Sequence, residues 1–399
     1  MASPQLVRHI NQARALELLR RHKGLSRAQL ARRLGLTKST VSDLTNSLLA
    51  GGLVVEDAGP VAHGHGGRPG LGLRLNPGGA SFLGAELGND HIAIVALRLD
   101  ARELTRVRQP IDPAHSSGEI AEQLVRLVKQ VLADIQGSSA NVQGLGVSVP
   151  GMLDRDGSVL WLPRLHWHDV DLTSMLEREL SIPVSLENDA NAAALAEMYF
   201  GRSGDVGRLL YMQVDTGVGC GLIVNRGLYV GVHGRAGEAG HLRVDPAGPR
   251  CECGGTGCLE TMLGEAALLR YDSELGGEAA SIQEVIDHAI AGKPVATAAL
   301  ERWKYWLTRG VASLIYLFDV DRIVLGGPLP AAVPDLADHL LERLRAQQVP
   351  QTDDLQILTS EFGSYAGAIG GAALIYQRLF QIPHADEDGF LDDDLLATS

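Results

Sequence analysis

Seven short apolar runs, separated by helical stretches and glycine turns, constrain the fold of most of this chain. The runs cover residues 82–88, 92–97, 145–149, 184–186, 209–214, 222–224 and 323–325. Runs of this length are typical of buried strands, and strands that alternate with helices indicate an α/β domain. Two glycine-bearing turns, at residues 86–90 (ELGND) and 215–221 (DTGVGCG), indicate two related lobes with a cleft between them.

The first 80 residues predict a smaller unit of a different kind. Apolar residues recur at helical spacing over residues 5–21, and two short capped helices follow on either side of Gly35. Ser26 is the predicted cap of the first of these helices and Thr37 the cap of the second. Two short helices around a glycine turn form a helix-turn-helix pattern, and the alternating stretch 53–75, with its glycine-rich tip, predicts a two-stranded wing.

The charge of the chain is distributed unevenly. The chain of 399 residues has a net charge of −13, yet residues 1–80 hold eleven Lys and Arg against four Asp and Glu. This segment therefore has a net charge of +7, which leaves −20 for the remainder. A basic module on an acidic body fits a protein that contacts DNA with one end, although an unevenly charged solvated surface is the alternative.

Length and hydropathy limit the remaining possibilities. A chain of 399 residues predicts two or three domains. No stretch reaches the roughly 18 consecutive apolar residues of a membrane span, and the first 20 residues do not resemble a signal peptide. We therefore expect a cytoplasmic protein without a membrane partner. The segment 384–399 contains six Asp and Glu, and we expect it to be disordered.

The start of the second helix of the helix-turn-helix carries candidate DNA contacts. Small hydroxyls and a cation cluster there and can reach phosphates and base edges in a major groove: Thr37, Lys38, Ser39, Thr40 and Ser42. In the wing, Arg68 lies between glycine and proline, where it can enter a narrow minor groove. The alternative is a three-helix bundle that contacts another protein.

Three cysteines and a histidine predict a metal site. His241 is followed by Cys251, Cys253 and Cys258 in a glycine-rich loop. One imidazole and three thiolates form a closed tetrahedral set for structural zinc, one ion per chain. The alternative is reduced cysteines packed as small apolar residues. Cys220 stands apart from the group in a glycine turn, and we interpret it as small and buried.

A third group follows the strand predicted at residues 184–186. Asn188 and Asp189 offer an amide and a carboxylate that can bind neighbouring hydroxyls of a sugar, and the carboxylate could act as a general base. Helix capping is a competing role for the same residues.

Together these motifs resemble the ROK family (repressors, open reading frames and sugar kinases). The resemblance extends from about Arg8 to Phe380. Its matching segments are GVSVPGMLD (146–154), LENDANAAALAE (186–197), DTGVGCGLIVNRGLYVG (215–231), GEAGHLRV (237–244), CECGGTGCLE (251–260), IVLGG (323–327) and AGAIGGAAL (366–374). With its helix-turn-helix and GRPGLGLRLNP (67–77), the chain looks like the repressor branch of the family.

The resemblance implies a winged helix-turn-helix followed by a two-lobed actin-like α/β domain of the sugar-kinase type. It implies a homodimer or higher homo-oligomer that binds double-stranded operator DNA and a sugar effector. The sugar contacts that it implies are Gly151, Asn188, Asp189, Glu238, His241 and Glu260. His241 would then have two roles, because one ring nitrogen on zinc orients the other towards the sugar. The aromatic stretch 161–167 could shape the pocket.

The first glycine turn departs from the family's kinases. A kinase of this family has a pattern like Asp-x-Gly-Gly-Thr there, whereas this chain has ELGND at residues 86–90, without the second glycine and the threonine. Asp90 would bring negative charge towards nucleotide phosphates, although the second turn at residues 217–221 and the pair Gly326 and Gly327 are kept. We therefore expect a sugar sensor without kinase activity, with Asp189 as a vestigial base. The alternative is an active ATP-dependent sugar kinase.

We expect the DNA-binding domain to occupy residues 1–78 and the first lobe residues 79–190, completed by residues 364–383. The second lobe, with the zinc site, would occupy residues 191–363.

Overall fold

The computed structural model describes residues 3–22, 24–60, 71–136, 141–154, 157–202, 206–350 and 352–381. The predicted wing tip with Arg68 and the acidic segment 384–399 lie outside these ranges. Among the described residues, no helix combines the length and the apolar character needed to cross a membrane.

The amino-terminal part is a winged helix, as predicted. It consists of α1 (Pro4–Arg21), β1 (Leu25–Ser26), α2 (Arg27–Leu34), α3 (Lys38–Ala50), β2 (Val54–Pro60) and β3 (Leu71–Leu75), with sheet order β1-β3-β2. The predicted caps are present, because the Ser26 hydroxyl accepts a hydrogen bond from Gln29 N and the Thr37 hydroxyl accepts one from Thr40 N. Gly35 ends α2 with φ of 68°, a conformation that favours glycine.

The first lobe is built on a five-stranded mixed sheet of order β11-β7-β4-β5-β6. The strands are β4 (Ser81–Leu87), β5 (His91–Arg98), β6 (Glu103–Pro110), β7 (Val142–Val149) and β11 (Val184–Asn188). The helices α4 (Ser117–Ile135) and α5 (Leu172–Leu180) accompany it. A small antiparallel sheet consists of β8 (Met152–Leu153), β9 (Val159–Leu162) and β10 (Trp167–Val170), with a 3-10 turn at Pro163–Leu165.

The second lobe repeats the five-stranded plan with sheet order β14-β13-β12-β15-β16. Its strands are β12 (Arg208–Val214), β13 (Val218–Val224), β14 (Gly227–Leu228), β15 (Arg322–Gly326) and β16 (Gln356–Thr359). Its helices are α7 (Leu259–Leu263), α8 (Glu265–Glu274), α9 (Ile282–Ile290), α10 (Pro294–Phe318), α11 (Pro328–Ala332) and α12 (Leu336–Ala346), and 3-10 turns lie at Ala239–His241 and Gly363–Tyr365.

Two helices lie between the sheets and pack on each other. Helix α6 (Asp189–Phe200) packs on β12 and β13 of the second lobe, and α13 (Ala366–Gln377) packs on β4 and β7 of the first. A Cβ at Gly146 would overlap the carbonyl oxygen of Gly371, so α13 approaches the first sheet more closely than side chains would permit. This architecture confirms the predicted fold, a winged helix followed by a two-lobed actin-like domain.

Candidate functional site

Two parallel strands bring the first group of predicted site residues together. Strands β7 and β11 pair in parallel, so the residues that follow them meet at one edge of the sheet. Gly151 follows β7, and Asn188 ends β11. The Asn188 Nδ2 atom lies 3.4 Å from the Gly151 carbonyl oxygen. The predicted proximity of these two residues is thus present in the structure.

Asn188 also caps α6. Its Oδ1 atom accepts hydrogen bonds from the backbone N–H groups of Ala190 and Asn191, at 3.0 and 3.3 Å. The capping role and the sugar-binding role therefore use different atoms of one amide, because Oδ1 holds the helix while Nδ2 faces Gly151. The two interpretations of this residue are compatible.

Asp189, the first residue of α6, is held in an unusual electrostatic environment. Its carboxylate accepts hydrogen bonds from Ala190 N at 2.9 Å and from Gln213 Nε2 at 3.3 Å. Burial raises the pKa of Asp189 to about 7, and the nearby charge of Glu86 adds to the effect. A carboxyl group that titrates near neutral pH can accept a hydrogen bond from a bound hydroxyl when it is ionised and can donate one to that hydroxyl when it is protonated.

A cavity between the lobes contains three of the predicted sugar contacts. Gly151, Asn188 and Glu238 line it, and the small sheet contributes Met152 and Leu153. The second lobe adds, among others, Gly219, Cys220 and Arg235. Cys220 is buried, as predicted, and is also part of this wall. Among the described residues, the lining does not include Asp189, His241 or Glu260. Asp189 is adjacent in sequence to Asn188, and His241 Nε2 lies 3.9 Å from the Glu238 carboxylate.

Two side chains of this wall were missed by the sequence analysis. Asn191 is 3% exposed, and its Oδ1 atom has no hydrogen-bond partner among the described residues. Its Nδ2 atom donates to Glu187 Oε1 at 3.0 Å, and burial raises the pKa of Glu187. A buried acceptor without a partner costs free energy unless a ligand satisfies it. The sequence places Asn191 three residues after Asn188, the cap of α6, but it does not show that the Asn191 side chain is buried.

Glu260 lies between the predicted metal group and the second glycine turn. It is in the first turn of α7, and its Oε2 atom accepts from Val218 N at 3.4 Å. Its Oε1 atom lies 3.7 Å from Cys251 Sγ. The position of Glu260 is therefore connected to that of the cysteine loop.

The structure brings the four predicted metal ligands together. One ligand atom from each of His241, Cys251, Cys253 and Cys258 lies within 4.8 Å of all the others. The Cys251 Sγ to His241 Nδ1 and Cys253 Sγ to Cys258 Sγ distances are both 3.6 Å. Bonds of about 2.0–2.3 Å to a tetrahedral zinc place ligand atoms at about this separation, so the donor set fits the ion.

The loop that holds these cysteines depends on one glycine. Gly257 has φ of 65°, and a Cβ there would overlap the carbonyl oxygen of Asp245. The ring of His241 turns Nδ1 to Cys251 and Nε2 to Glu238, with 3.9 Å between Nε2 and the Glu238 carboxylate. One ring nitrogen thus faces the cysteines and the other faces a residue that lines the cavity.

A histidine lies over the first glycine turn, where a kinase of the family would hold phosphate. A Cβ at Gly88 would lie 2.5 Å from the His91 ring. The ring is 2.7 Å from Asp90 Oδ1 and 3.6 Å from Glu86 Oε1. Burial lowers the pKa of His91, but the neighbouring carboxylates of Glu86 and Asp90 outweigh it and raise the pKa. The sequence analysis identified the altered turn but not this side chain.

The predicted DNA contacts share one exposed surface at the start of α3. Thr37, Lys38, Ser39 and Thr40 are exposed, and Ser42 is partly exposed. The Thr37 hydroxyl lies 2.9 Å from Ser39 Oγ and 2.8 Å from Thr40 Oγ1. Arg68, the predicted minor-groove contact, lies outside the described residues. Of this predicted DNA interface, the structure therefore describes only the residues at the start of α3.

Family models match both parts of the chain. A model described as ROK family matches residues 82–378, and one described as MarR family matches residues 9–63. The xylose repressor of Bacillus spizizenii is 29% identical over 96% of this chain and 99% of its own length. The DNA-binding transcriptional dual regulator NagC of Escherichia coli is 27% identical over 94% of both chains.

Solved structures agree with these sequence matches. A ROK family transcriptional regulator, described as a homolog of the E. coli MLC protein, has a TM-score of 0.82 at 27% identity and covers 94% of this chain and 97% of its own. The ROK hexokinase from Thermus thermophilus has a TM-score of 0.66 at 30% identity. It matches 75% of this chain and 99% of its own. The regulator thus matches more of this chain than the hexokinase does.

Proposed function

The chain belongs to the ROK family, and from this membership and the geometry of the site we propose that it is a sugar-responsive transcriptional repressor. The observation that carries this conclusion is the similarity along nearly the whole length to regulators, winged helix included. The partners are operator DNA and a carbohydrate effector.

We assign the sugar to the cavity between the lobes. Gly151, Asn188, Asp189, Glu238, His241 and Glu260 remain the proposed contacts. To these we add Asn191, because its buried Oδ1 atom is an acceptor that a sugar hydroxyl can satisfy. The cavity is lined from both lobes, so a bound sugar would hydrogen-bond to both and stabilise one arrangement of the lobes over others. Relatives named xylose repressor and, in Escherichia coli O6:H1, N-acetylglucosamine repressor suggest xylose and N-acetylglucosamine as the first candidates.

We propose that one structural zinc ion is held by His241, Cys251, Cys253 and Cys258. Four protein ligands leave no open position on the metal, so the ion would contribute folding free energy rather than chemistry. The cysteine loop would also hold two of the proposed sugar contacts, His241 and Glu260, in position, because both lie against Cys251.

We propose that kinase activity has been lost. The His91 ring lies over the first glycine turn, and the carboxyl groups of Glu86, Asp90 and Asp215 lie around it. Nucleotide phosphates are anionic, so this group disfavours them at the position where a kinase would hold them. The glycines of the second turn, at residues 217–221, would then be kept because the tight turn needs them and not because they bind phosphate.

We propose that residues 1–78 form the DNA-binding domain and that α3 enters the major groove with Thr37, Lys38, Ser39, Thr40 and Ser42. Arg68 in the wing is the proposed minor-groove contact. The first lobe comprises residues 79–190 with 364–383, and the second lobe comprises residues 191–363. An acidic tail at 384–399 completes this division.

We propose that the operator is read by a homodimer, and we assign the contact to the outer face of α10. Tyr305, Arg309 and Tyr316 lie on one stripe of this helix, at spacings of four and seven residues. The two tyrosines are 42% and 62% exposed, and the Arg309 guanidinium carbon lies 5.7 Å from the Tyr305 ring centroid. Tyrosine and arginine dominate interface energetics. Antiparallel pairing of α10 with its copy would bury the whole stripe around a two-fold axis.

The test is the operator affinity of the full chain, measured by fluorescence anisotropy with and without each sugar of a panel of pentoses, hexoses and N-acetylhexosamines. A binding sugar should change the affinity about 5- to 150-fold, the usual range of allosteric coupling. The Asp189→Asn variant should lose most of this response. If no sugar that binds the wild type alters operator affinity, the proposed function is wrong.

A further inference from the structure

The winged helix and the first lobe share one apolar core. Leu16 and Leu19 of α1 belong to the same buried cluster as Phe82 of β4, Tyr376 of α13 and Phe380. The ring centroids of Tyr376 and Phe82 are 5.0 Å apart, and those of Tyr376 and Phe380 are 4.7 Å apart. The winged helix and the first lobe therefore pack against each other through this cluster.

The second lobe contacts the same helix from another direction. The turn between β13 and β14 consists of Asn225 and Arg226, with φ of 51° and 67°. The Arg226 Nη2 atom lies 2.9 Å from Glu17 Oε1 of α1. The side chains of Arg226 and Glu17 are 34% and 20% exposed. An ion pair thus connects the second lobe to the DNA-binding domain across 209 residues of sequence.

Glu17 is held firmly on its own helix. Its carboxylate also pairs with Arg20 at 2.8 Å and with Arg21 at 2.7 Å. Burial would raise the pKa of Glu17, but the hydrogen bonds and charges of Arg20 and Arg21 outweigh it and lower the pKa. Glu17 therefore presents an ordered, ionised carboxylate to Arg226. If Arg226 moves, the Glu17 side chain cannot simply follow it, because Arg20 and Arg21 hold the carboxylate on α1.

Two elements lead from the proposed sugar cavity to α1. Strand β13 carries Gly219 and Cys220 on the cavity wall, and Arg226 follows its other end. Helix α6 begins beside the cavity and ends at Tyr199 and Phe200. The guanidinium carbon of Arg20 lies 5.6 Å from the Tyr199 ring centroid. The strand spans about 20 Å and the helix about 18 Å.

We propose that Arg226 is the positioning residue through which movement of the second lobe reaches the DNA-binding domain. This inference rests on the proposed function, since it needs a sugar that shifts the lobes. The winged helix packs on the first lobe through the shared cluster, so a relative movement of the lobes would either displace Arg226 from Glu17 or turn α1 with it. The pair therefore makes operator binding depend on the arrangement of the lobes.

The experiment compares the ratio of operator affinities without and with sugar in the wild type and in variants of the full chain. D-xylose and N-acetyl-D-glucosamine are the probes. Arg226→Ala should reduce the ratio at least threefold towards one, and Arg226→Lys, which keeps the charge, should retain most of it. Arg208→Ala is the matched control, because Arg208 pairs with Asp319 and Asp321 of its own lobe, and it should leave the ratio unchanged.

A double-mutant cycle separates transmission from damage to the fold. Glu17→Gln removes the same pair together with the pairs to Arg20 and Arg21, so Arg226→Ala should have little further effect on the ratio in the Glu17→Gln background. Thermal midpoints and sugar affinities near those of the wild type show that the folded cavity persists. An unchanged ratio in Arg226→Ala, or additive effects, overturns the proposal while the proposed function stands. A wild-type ratio of one, for a probe that binds, overturns both.

Discussion

Replacing Asp189 with asparagine should stabilise the protein while it weakens sugar binding. The side chain is buried, and its ionised form is disfavoured by burial and by the charges of Glu86 and Asp215. Asparagine has nearly the same shape and carries no charge. Its Oδ1 atom can still accept from Ala190 N, and its Nδ2 atom can donate to Gln213 once the Gln213 amide turns its oxygen towards it, because Gln213 now donates to the carboxylate.

The magnitude follows from the pKa of Asp189, which rises from an ordinary value of 3.8 to about 7. Between these values the folded protein holds a proton that the unfolded chain has released, so the free energy of unfolding falls as the pH rises through this window. At about 1.4 kcal/mol per pH unit, a slope that falls to half near pH 7, the wild type loses ~2 kcal/mol between pH 5 and pH 7, and the loss levels off above pH 7. The asparagine variant does not share this loss.

The assay is the thermal midpoint of both proteins at pH 5, 6, 7 and 8, with sugar affinity measured by calorimetry at pH 8. The midpoint of Asp189→Asn should exceed that of the wild type by several degrees at pH 8, and by clearly less at pH 5. Loss of a charged hydrogen bond should weaken sugar binding roughly tenfold or more. A difference in midpoint that does not grow with pH would refute the electrostatic reasoning. Unchanged sugar affinity would remove Asp189 from the site.

Four further predictions concern the metal, the lost reaction, the DNA surface and the dimer. Elemental analysis should find one zinc per chain in the wild type, much less in Cys251→Ser, and an unchanged amount in the control Cys220→Ser. A coupled assay should detect no ATP consumption with any sugar that binds, whereas sustained turnover would show that the kinase-loss proposal is wrong. Lys38→Ala should weaken operator binding and lower its salt slope by about one, and Arg68→Ala should weaken it most at A·T-rich sites. Tyr316→Glu should yield monomers in analytical ultracentrifugation, and a dimer of wild-type strength would exclude the α10 face.

Parts of this protein could be predicted from the amino-acid sequence because their signals are local. Ser26 and Thr37 cap their helices because capping involves residues only two or three positions away. The three cysteines of the metal group lie within eight residues, so only the His241 contact required the chain to fold back. The ROK family was also identified from the order of short motifs, and both family models match the segments expected.

Other features could not be predicted from the sequence, because they depend on contacts between elements that are distant along the chain. Asn191 has an unsatisfied buried oxygen only because other elements enclose the start of α6, and no spacing in the sequence reveals that enclosure. The position of His91 over the glycine turn depends on Glu86 and Asp90, which orient its ring. Glu17 and Arg226 are ordinary charged residues in the sequence. They become a connection between domains because folding places the tip of one hairpin against one helix.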